Sequence, residues 1–297
     1  MKVTFLGTGA AFPDPERGQS GILITLSNHR HFLLDCGSGT TRQLVCAGVD
    51  PADVDVVCLS HLHHDHICDF PAFIITGWMF DRENAPILLG PKGVKHFSDH
   101  LFEEGAFKSD FLARSHYQAR KDNIAAIRPD IREMEPGCVY EDKDVRIFAD
   151  WVEHIPREIS ECFGVRIEAE DRVVAFSGDT APCDAMVELS KDADLLIHEC
   201  TFPQSFIEFR KKTGVGIHAH TSPGELGRIA KQANVKSLVA THFGHFDSTS
   251  PVLKKAARNH FPIDLMGPHL FDEMAVDIRL EYQGPLLFAR DLMRIEL

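Results

Sequence analysis

The segment Ser60-His61-Leu62-His63-His64-Asp65-His66 follows directly on the apolar run Val54-Asp55-Val56-Val57-Cys58-Leu59. Ionisable side chains at the end of a buried strand are costly unless they are used. The junction therefore restricts the chain to a fold that opens a polar site at a strand's carboxyl end. The spacing H-x-H-x-D-H offers imidazole and carboxylate ligands from His61, His63, Asp65 and His66, a set that suits zinc better than calcium or magnesium. His61 and His63 lie two apart on extended chain and point to the same side. Asp65 and His66 follow on the turn and can face a second position, so one short segment can serve two adjacent metals.

At 297 residues, with 44% hydrophobic and 25% charged residues, the chain has the size and balance of one large α/β domain spanning 1–297. No apolar run approaches the ~20 residues of a membrane span, so no membrane partner is expected. The start, Met1-Lys2-Val3-Thr4-Phe5-Leu6-Gly7, is too short and too strand-like for a signal peptide. Eight cysteines without a C-x-x-C pair fit a reduced, cytoplasmic chain better than a disulfide scaffold. A net charge of −13 opposes phosphate backbones at long range but leaves room for a local basic patch.

Read for periodicity and turns, the chain alternates strands and helices. Strands are expected at Val3–Leu6, Ile22–Leu26, His31–Asp35, Val54–Leu59, Pro86–Leu89, Asp144–Asp150, Phe163–Ala169, Arg172–Ser177, Asp194–His198 and Lys236–Ala240. The tail reads as two more, Ala275–Tyr282 and Pro285–Ala289. Helices are expected at Ser38–Ala47, from about Ile67, and at Asp184–Lys191, Ser205–Lys212, Ser222–Gln232 and Pro251–Arg258. Ser222, Pro223 and Glu225 form an N-cap, first-turn proline and capping-box set. The stretch 92–135, with Phe97, Phe102, Phe107, Phe111 and Tyr117 among many charges, reads as a helical insertion that covers core, closes as a lid or makes a dimer contact.

Three further ligand candidates each follow an expected strand: His154, Asp179 in Ser177-Gly178-Asp179-Thr180, and His242 in Ala240-Thr241-His242. A lone histidine after a strand is usually structural; three such positions beside H-x-H-x-D-H form a constellation.

These residues carry a resemblance. With Phe5-Leu6-Gly7-Thr8-Gly9, Leu34-Asp35-Cys36-Gly37-Ser38-Gly39-Thr40, Phe163–Glu168, His198-Glu199-Cys200-Thr201-Phe202 and His220-Thr221-Ser222, the chain resembles the metallo-β-lactamase superfamily and, within it, the ribonuclease Z-like branch. The resemblance runs nearly end to end. It implies a four-layer αββα sandwich with two zinc ions at one edge, manganese or iron being alternatives. It also implies that His61, His63 and His154 hold the first ion, that Asp65, His66 and His242 hold the second, and that Asp179 bridges them. A hydroxide shared by the two ions would then be the nucleophile, with Asp65 able to accept a proton from it. His220, oriented by Glu199, matches the branch's general acid. His218, two residues away, competes for that role. His198 is expected to support the fold, His64 to point away, and Asp35 to buttress a ligand histidine. Aspartate at 179 argues against β-lactam specialisation, and His63 against the di-iron oxygen-reducing members.

The departures bear on substrate. Ribonuclease Z enzymes usually follow the last metal histidine with a Ser-x-Arg-Tyr-like stretch, whereas this chain has Phe243-Gly244-His245-Phe246-Asp247. No Gly/Pro- and Lys-rich arm is visible. The expectation is a dinuclear zinc-dependent hydrolase of a small aromatic or apolar substrate: an ester, sulfate, phosphodiester or lactone. Trp78, Met79 and Phe80 are candidates for a pocket wall or for core. Nucleic acid is disfavoured and a homodimer is expected. The alternatives are a tRNA 3′-end processing endonuclease and a non-catalytic metal-binding protein.

Overall fold

The apolar residues of the first strands alternate between two cores, because both faces of their sheet are covered. In the computed structural model, which describes residues 1–103, 105–121, 123–213, 219–258 and 266–297, Val3, Phe5, Ile22, Ile24, Phe32 and Leu34 face a central core. Leu6, Leu23, Leu33 and Val57 face a second, outer core.

The first sheet runs β14-β1-β2-β3-β4-β5-β6. Its strands are β1 (Lys2–Gly7), β2 (Gly21–Thr25), β3 (His31–Leu34), β4 (Val54–Cys58), β5 (Ile87–Gly90), β6 (Asp130–Glu133) and β14 (Arg294–Glu296). Its outer face is covered by α1 (Thr40–Cys46), α3 (Phe70–Met79), which follows the one-turn α2 (His64–Ile67), and α4 (Val94–Phe102). The second sheet runs β13-β12-β11-β10-β9-β8-β7. It comprises β7 (Gly137–Glu141), β8 (Val145–Trp151), β9 (Phe163–Ala169), β10 (Arg172–Phe176), β11 (Leu195–Glu199), β12 (Leu238–Thr241) and β13 (Leu286–Phe288). The helices α7 (Asp184–Leu189), α9 (Pro223–Gln232) and α11 (Leu270–Arg279) contribute Met186, Leu226, Ile229, Met274 and Ile278 to the core beneath it. Helices α5 (Lys108–Ser115), α6 (Gln118–Lys121), α8 (Gln204–Thr213) and α10 (Pro251–Ala257) complete the chain. This is the expected αββα sandwich. Among the described residues no helix is long and apolar enough to cross a membrane.

Two expectations need correction. Ala275–Tyr282 is not a strand: it lies mostly in α11, where Leu270, Met274 and Ile278 recur every four residues and are buried. The alternation of Ala-Val-Asp-Ile-Arg-Leu imitates period two, but the buried set follows the helical period. The stretch 92–135 is not wholly helical either, since it ends in β6, which pairs in parallel with β5 and belongs to the first sheet. Its aromatics pack inward, with Phe97 and Phe102 against Phe70 at 5.8 and 6.4 Å between ring centroids and Phe111 against Trp78 at 5.7 Å. Tyr117 is exposed. The capping box is present as read: Ser222 Oγ accepts from Glu225 N, and Ser222 N donates to the Glu225 carboxylate at 3.0 Å.

Candidate metal centre and active site

Four of the seven ligand candidates follow a strand's carboxyl end, and His63, Asp65 and His66 come from the short segment after the first of them. His61 follows β4, His154 follows β8, Asp179 follows β10 and His242 follows β12. Left-handed backbone occurs at Gly178 just before Asp179 (φ 56°), at His242 itself (φ 59°) and at Asp35 after β3 (φ 58°). Such values are uncommon for residues other than glycine. Asp65 and His66 stand on the single turn of α2 rather than on an open turn, with His66 N donating to His63 O at 3.0 Å.

The structure gathers the candidates into two groups. His61, His63, His154 and Asp179 each present an atom within 4.8 Å of the others, and so do Asp65, His66, Asp179 and His242. In the first group His63 Nδ1 stands 3.0 Å from His61 Nε2 and 3.1 Å from His154 Nε2. In the second, His242 Nε2 is 3.3 Å from both Asp65 Oδ2 and Asp179 Oδ1, and His66 Nε2 is 3.5 Å from Asp65 and Asp179. The buried His66 Nε2 and Asp179 Oδ1 have no hydrogen-bond partner. Ring nitrogens facing one another with unsatisfied buried atoms fit a pair of cations better than a protein-only network. The donor set of five imidazoles and two carboxylates is one that zinc accepts.

The far nitrogens are anchored, which fixes each ring. His66 Nδ1 donates to Asp35 Oδ2 at 2.6 Å, and Asp35 also accepts from Ser60 N at 2.8 Å and from the Ser20 and Ser60 hydroxyls. His154 Nδ1 donates to Ala219 O at 2.8 Å, and His242 Nδ1 to Thr201 Oγ1 at 3.1 Å. Burial first, then neighbouring histidines, holds His61 and His63 below the ordinary imidazole value; burial does the same for His154. These rings therefore offer lone pairs at neutral pH. Burial pushes Asp65 and Asp179 up, but His242 and His66 outweigh it and hold both below the usual carboxylate range.

Beside the two groups sits a second unit. His220 Nδ1 donates to Glu199 Oε1 at 2.9 Å, which leaves its Nε2 for the cavity. Glu199 is buried and accepts from the Thr180, Thr201 and Thr221 amides and from the Thr201 hydroxyl at 3.0 Å. Burial pulls the imidazole down, yet the Glu199 charge and hydrogen bond, with Asp179 behind them, carry His220 up to about 9. His198 is buried with Nδ1 on the Glu199 carbonyl, and His64 is 68% exposed and turned to Ala11 O, so neither joins a ligand group. His218 lies outside the described residues.

A cavity of about 220 Å³ opens over both groups, lined by His63, Asp65, His154, Asp179, His220 and His242, with Phe12, Phe202, Arg210 and His245 around them. Trp78 is core, not wall: it is fully buried and donates its indole N–H to Asn123 O at 3.0 Å. Sequence reasoning missed Phe12, Arg210 and the anchoring role of Thr201. Only Thr201, inside the quoted stretch His198–Phe202, carried a signal that could have found it.

The turn before Asp179 admits no side chain. A Cβ at Gly178 would stand 2.8 Å from the Ser60 Cβ, at a φ that L-residues avoid. Gly178→Ala is expected to lower stability by about 1–3 kcal/mol and to weaken metal retention, as Asp179 shifts. Urea unfolding and metal analysis check this; an unchanged midpoint with full metal content would show that the turn adapts.

Residues 1–245 match the family described as "Anti-Pycsar protein Apyc1". A ribonuclease Z of Haloferax volcanii is 30% identical over 86% of this chain and 89% of its own. The chain belongs to the Anti-Pycsar protein Apyc1 family, in the ribonuclease Z-like branch of the metallo-β-lactamase superfamily. Among solved structures, the metallo-β-lactamase fold protein YhfI of Bacillus subtilis superposes with TM-score 0.70 at 24% identity, covering 99% of each chain. The short form of human tRNase Z superposes with TM-score 0.68 at 23% identity, covering 100% of this chain and 99% of that one. A member of this branch with such a cluster is a metal-dependent hydrolase.

Proposed function

We propose that the chain is a dinuclear phosphodiesterase that hydrolyses a P–O bond in a nucleotide-containing substrate. The observation that carries this reading is one cavity over two ligand groups that share Asp179, with the His220–Glu199 pair on its wall. His61, His63 and His154 would hold one ion and Asp65, His66 and His242 the other, with Asp179 between them, zinc being the ion expected. Bound there, the ions would supply Lewis acidity to the phosphoryl group and a nucleophile at neutral pH. The chain's own residues do the rest. Asp65, ionised, stands ready to take a proton from the attacking water. Glu199 keeps His220 protonated, and His220 Nε2 delivers that proton to the departing oxygen. Phe12 and Phe202 give the cavity an apolar part of its wall.

RNA is the substrate that the relatives support, since the Haloferax protein named ribonuclease Z is matched over most of both chains. The expected preference for a small substrate therefore yields first place to 3′-end processing of precursor tRNA. A nucleotide-sized phosphodiester is the second reading. It is favoured by a cavity of about 220 Å³, below the roughly 300–1,000 Å³ usual for ligand pockets, and by the net charge of −13. Unmodified precursor tRNA at low salt and bis(p-nitrophenyl) phosphate are the two test substrates. Turnover of at least one is expected with the zinc-loaded protein. Cleavage of esters or lactones with neither phosphodiester touched would refute a P–O specificity.

A further inference from the structure

Among the described residues, the segment after His242 brings no Arg or Lys to the cavity lining. His245 is held below the ordinary imidazole value by burial, and Arg17, beneath Phe243, pairs with Asp247 at 2.9 Å. Hydrolysis of a phosphodiester nevertheless builds negative charge on the two non-bridging oxygens. Arg210, on α8, lines the cavity and is the one Arg or Lys among the described residues that does so. Its guanidinium lies 4.3 Å from the centroid of the Phe202 ring, and Phe202 meets the His220 ring edge-on at 5.9 Å. Lys211 and Lys212 of the same helix are exposed. The guanidinium lies over the ring that His220 also meets, and a planar fork of N–H donors matches phosphoryl oxygens better than an ammonium does. Burial disfavours the charge of Arg210, and that charge is felt at His220, whose proton affinity it lowers.

We infer that Arg210, stacked on Phe202, is the phosphoryl clamp of this site, moved from the strand-end loop after His242 to helix α8. The inference rests on the phosphodiesterase reading. It predicts that Arg210 contacts the non-bridging oxygens and that its contact strengthens as charge develops on them.

The test uses the zinc-loaded full chain with Arg210→Gln, Arg210→Lys and Arg210→Ala. Metal content should match the wild type in all three. Turnover of bis(p-nitrophenyl) phosphate should fall roughly 10²–10³-fold in Arg210→Gln, chiefly in kcat, with Arg210→Lys recovering little because it lacks the fork. Added guanidinium should restore part of the activity of Arg210→Ala, and ethylammonium should not. Titration with inorganic phosphate gives a readout apart from turnover, and its affinity should fall about tenfold in Arg210→Gln. Wild-type phosphate affinity in Arg210→Gln would overturn the inference, whatever the substrate proves to be. A melting temperature lowered equally in Arg210→Lys and Arg210→Gln, with loss of metal, would also overturn it by making the residue structural. If the wild type turns over no phosphodiester while phosphate binding still depends on Arg210, the phosphodiesterase reading fails and the anion clamp stands.

Discussion

Asp179→Asn is expected to abolish turnover and to empty both ligand groups together, because Asp179 is the residue shared between them. The loss in rate should be roughly 10³-fold or more, since metal ions are worth several kcal/mol of transition-state stabilisation and each 1.36 kcal/mol is tenfold. Stability should fall with it. The ligands come from β4 in the first sheet and from β8, β10 and β12 in the second, so bound ions tie the two sheets at one edge. An ion at a hundredfold excess over its Kd contributes about 2.7 kcal/mol per site, and a chelator should lower the wild-type melting temperature toward that of the variant. Elemental analysis, melting and turnover are measured on one preparation. Two ions per chain and wild-type turnover in Asp179→Asn would remove Asp179 from the centre.

His220→Ala should keep both ions yet lose roughly 10²–10⁴ in rate on substrates with poor leaving groups. The deficit should shrink for nitrophenolate, which departs without a proton. The pH profile separates this role from simple positioning. His220 is carried up to about 9 by Glu199 against its burial, so a protonated His220 would be available as the proposed acid throughout the neutral range. Rate on poor leaving groups should hold through pH 8 and decline as pH rises through about 9. The His220–Glu199 pair follows the same direction for stability. Its contribution is complete below the unfolded imidazole value near 6.5 and disappears as pH rises through the folded value. Glu199→Gln removes the charge that raises His220, so the alkaline limb should move to lower pH. A uniform loss across leaving groups with an unmoved limb would make His220 a charge stabiliser rather than the acid.

The parts of the site that could be read in advance were those written along the chain. Strand β4 and the histidines after it are contiguous, so an apolar run ending in ligands was visible as such. His154, Asp179 and His242 each follow a strand, and their positions also matched a resemblance. The alternation of strands and helices pointed only to a large α/β domain, and the sandwich itself came from the resemblance. What could not be read depends on tertiary neighbours. Nothing local marks Arg210 or Phe12, which reach the cavity only because α8 and the loop after β1 meet there. The edge strands β6, β7 and β14 are short, with exposed and half-buried residues, so their sequences lack the apolar signal. Helix α11 was misread because its alternate apolar residues Val276 and Leu280 are exposed, while Met274 and Ile278 carry the burial.

His154 is held by the carbonyl of Ala219, and Ala219 adjoins His220 in the chain. The ring proposed to hold an ion and the ring proposed to protonate the leaving group would thereby be ends of one short mechanical connection. Equilibrium coupling of this kind is reciprocal. By whatever factor an ion at His154 favours the seated position of residues 219–221, a phosphoryl group that seats His220 must tighten that ion by the same factor. On the proposed roles, the protein would retain its metal best while a substrate occupies the cavity and release it most readily when idle, and its activity would follow free metal most steeply at low substrate.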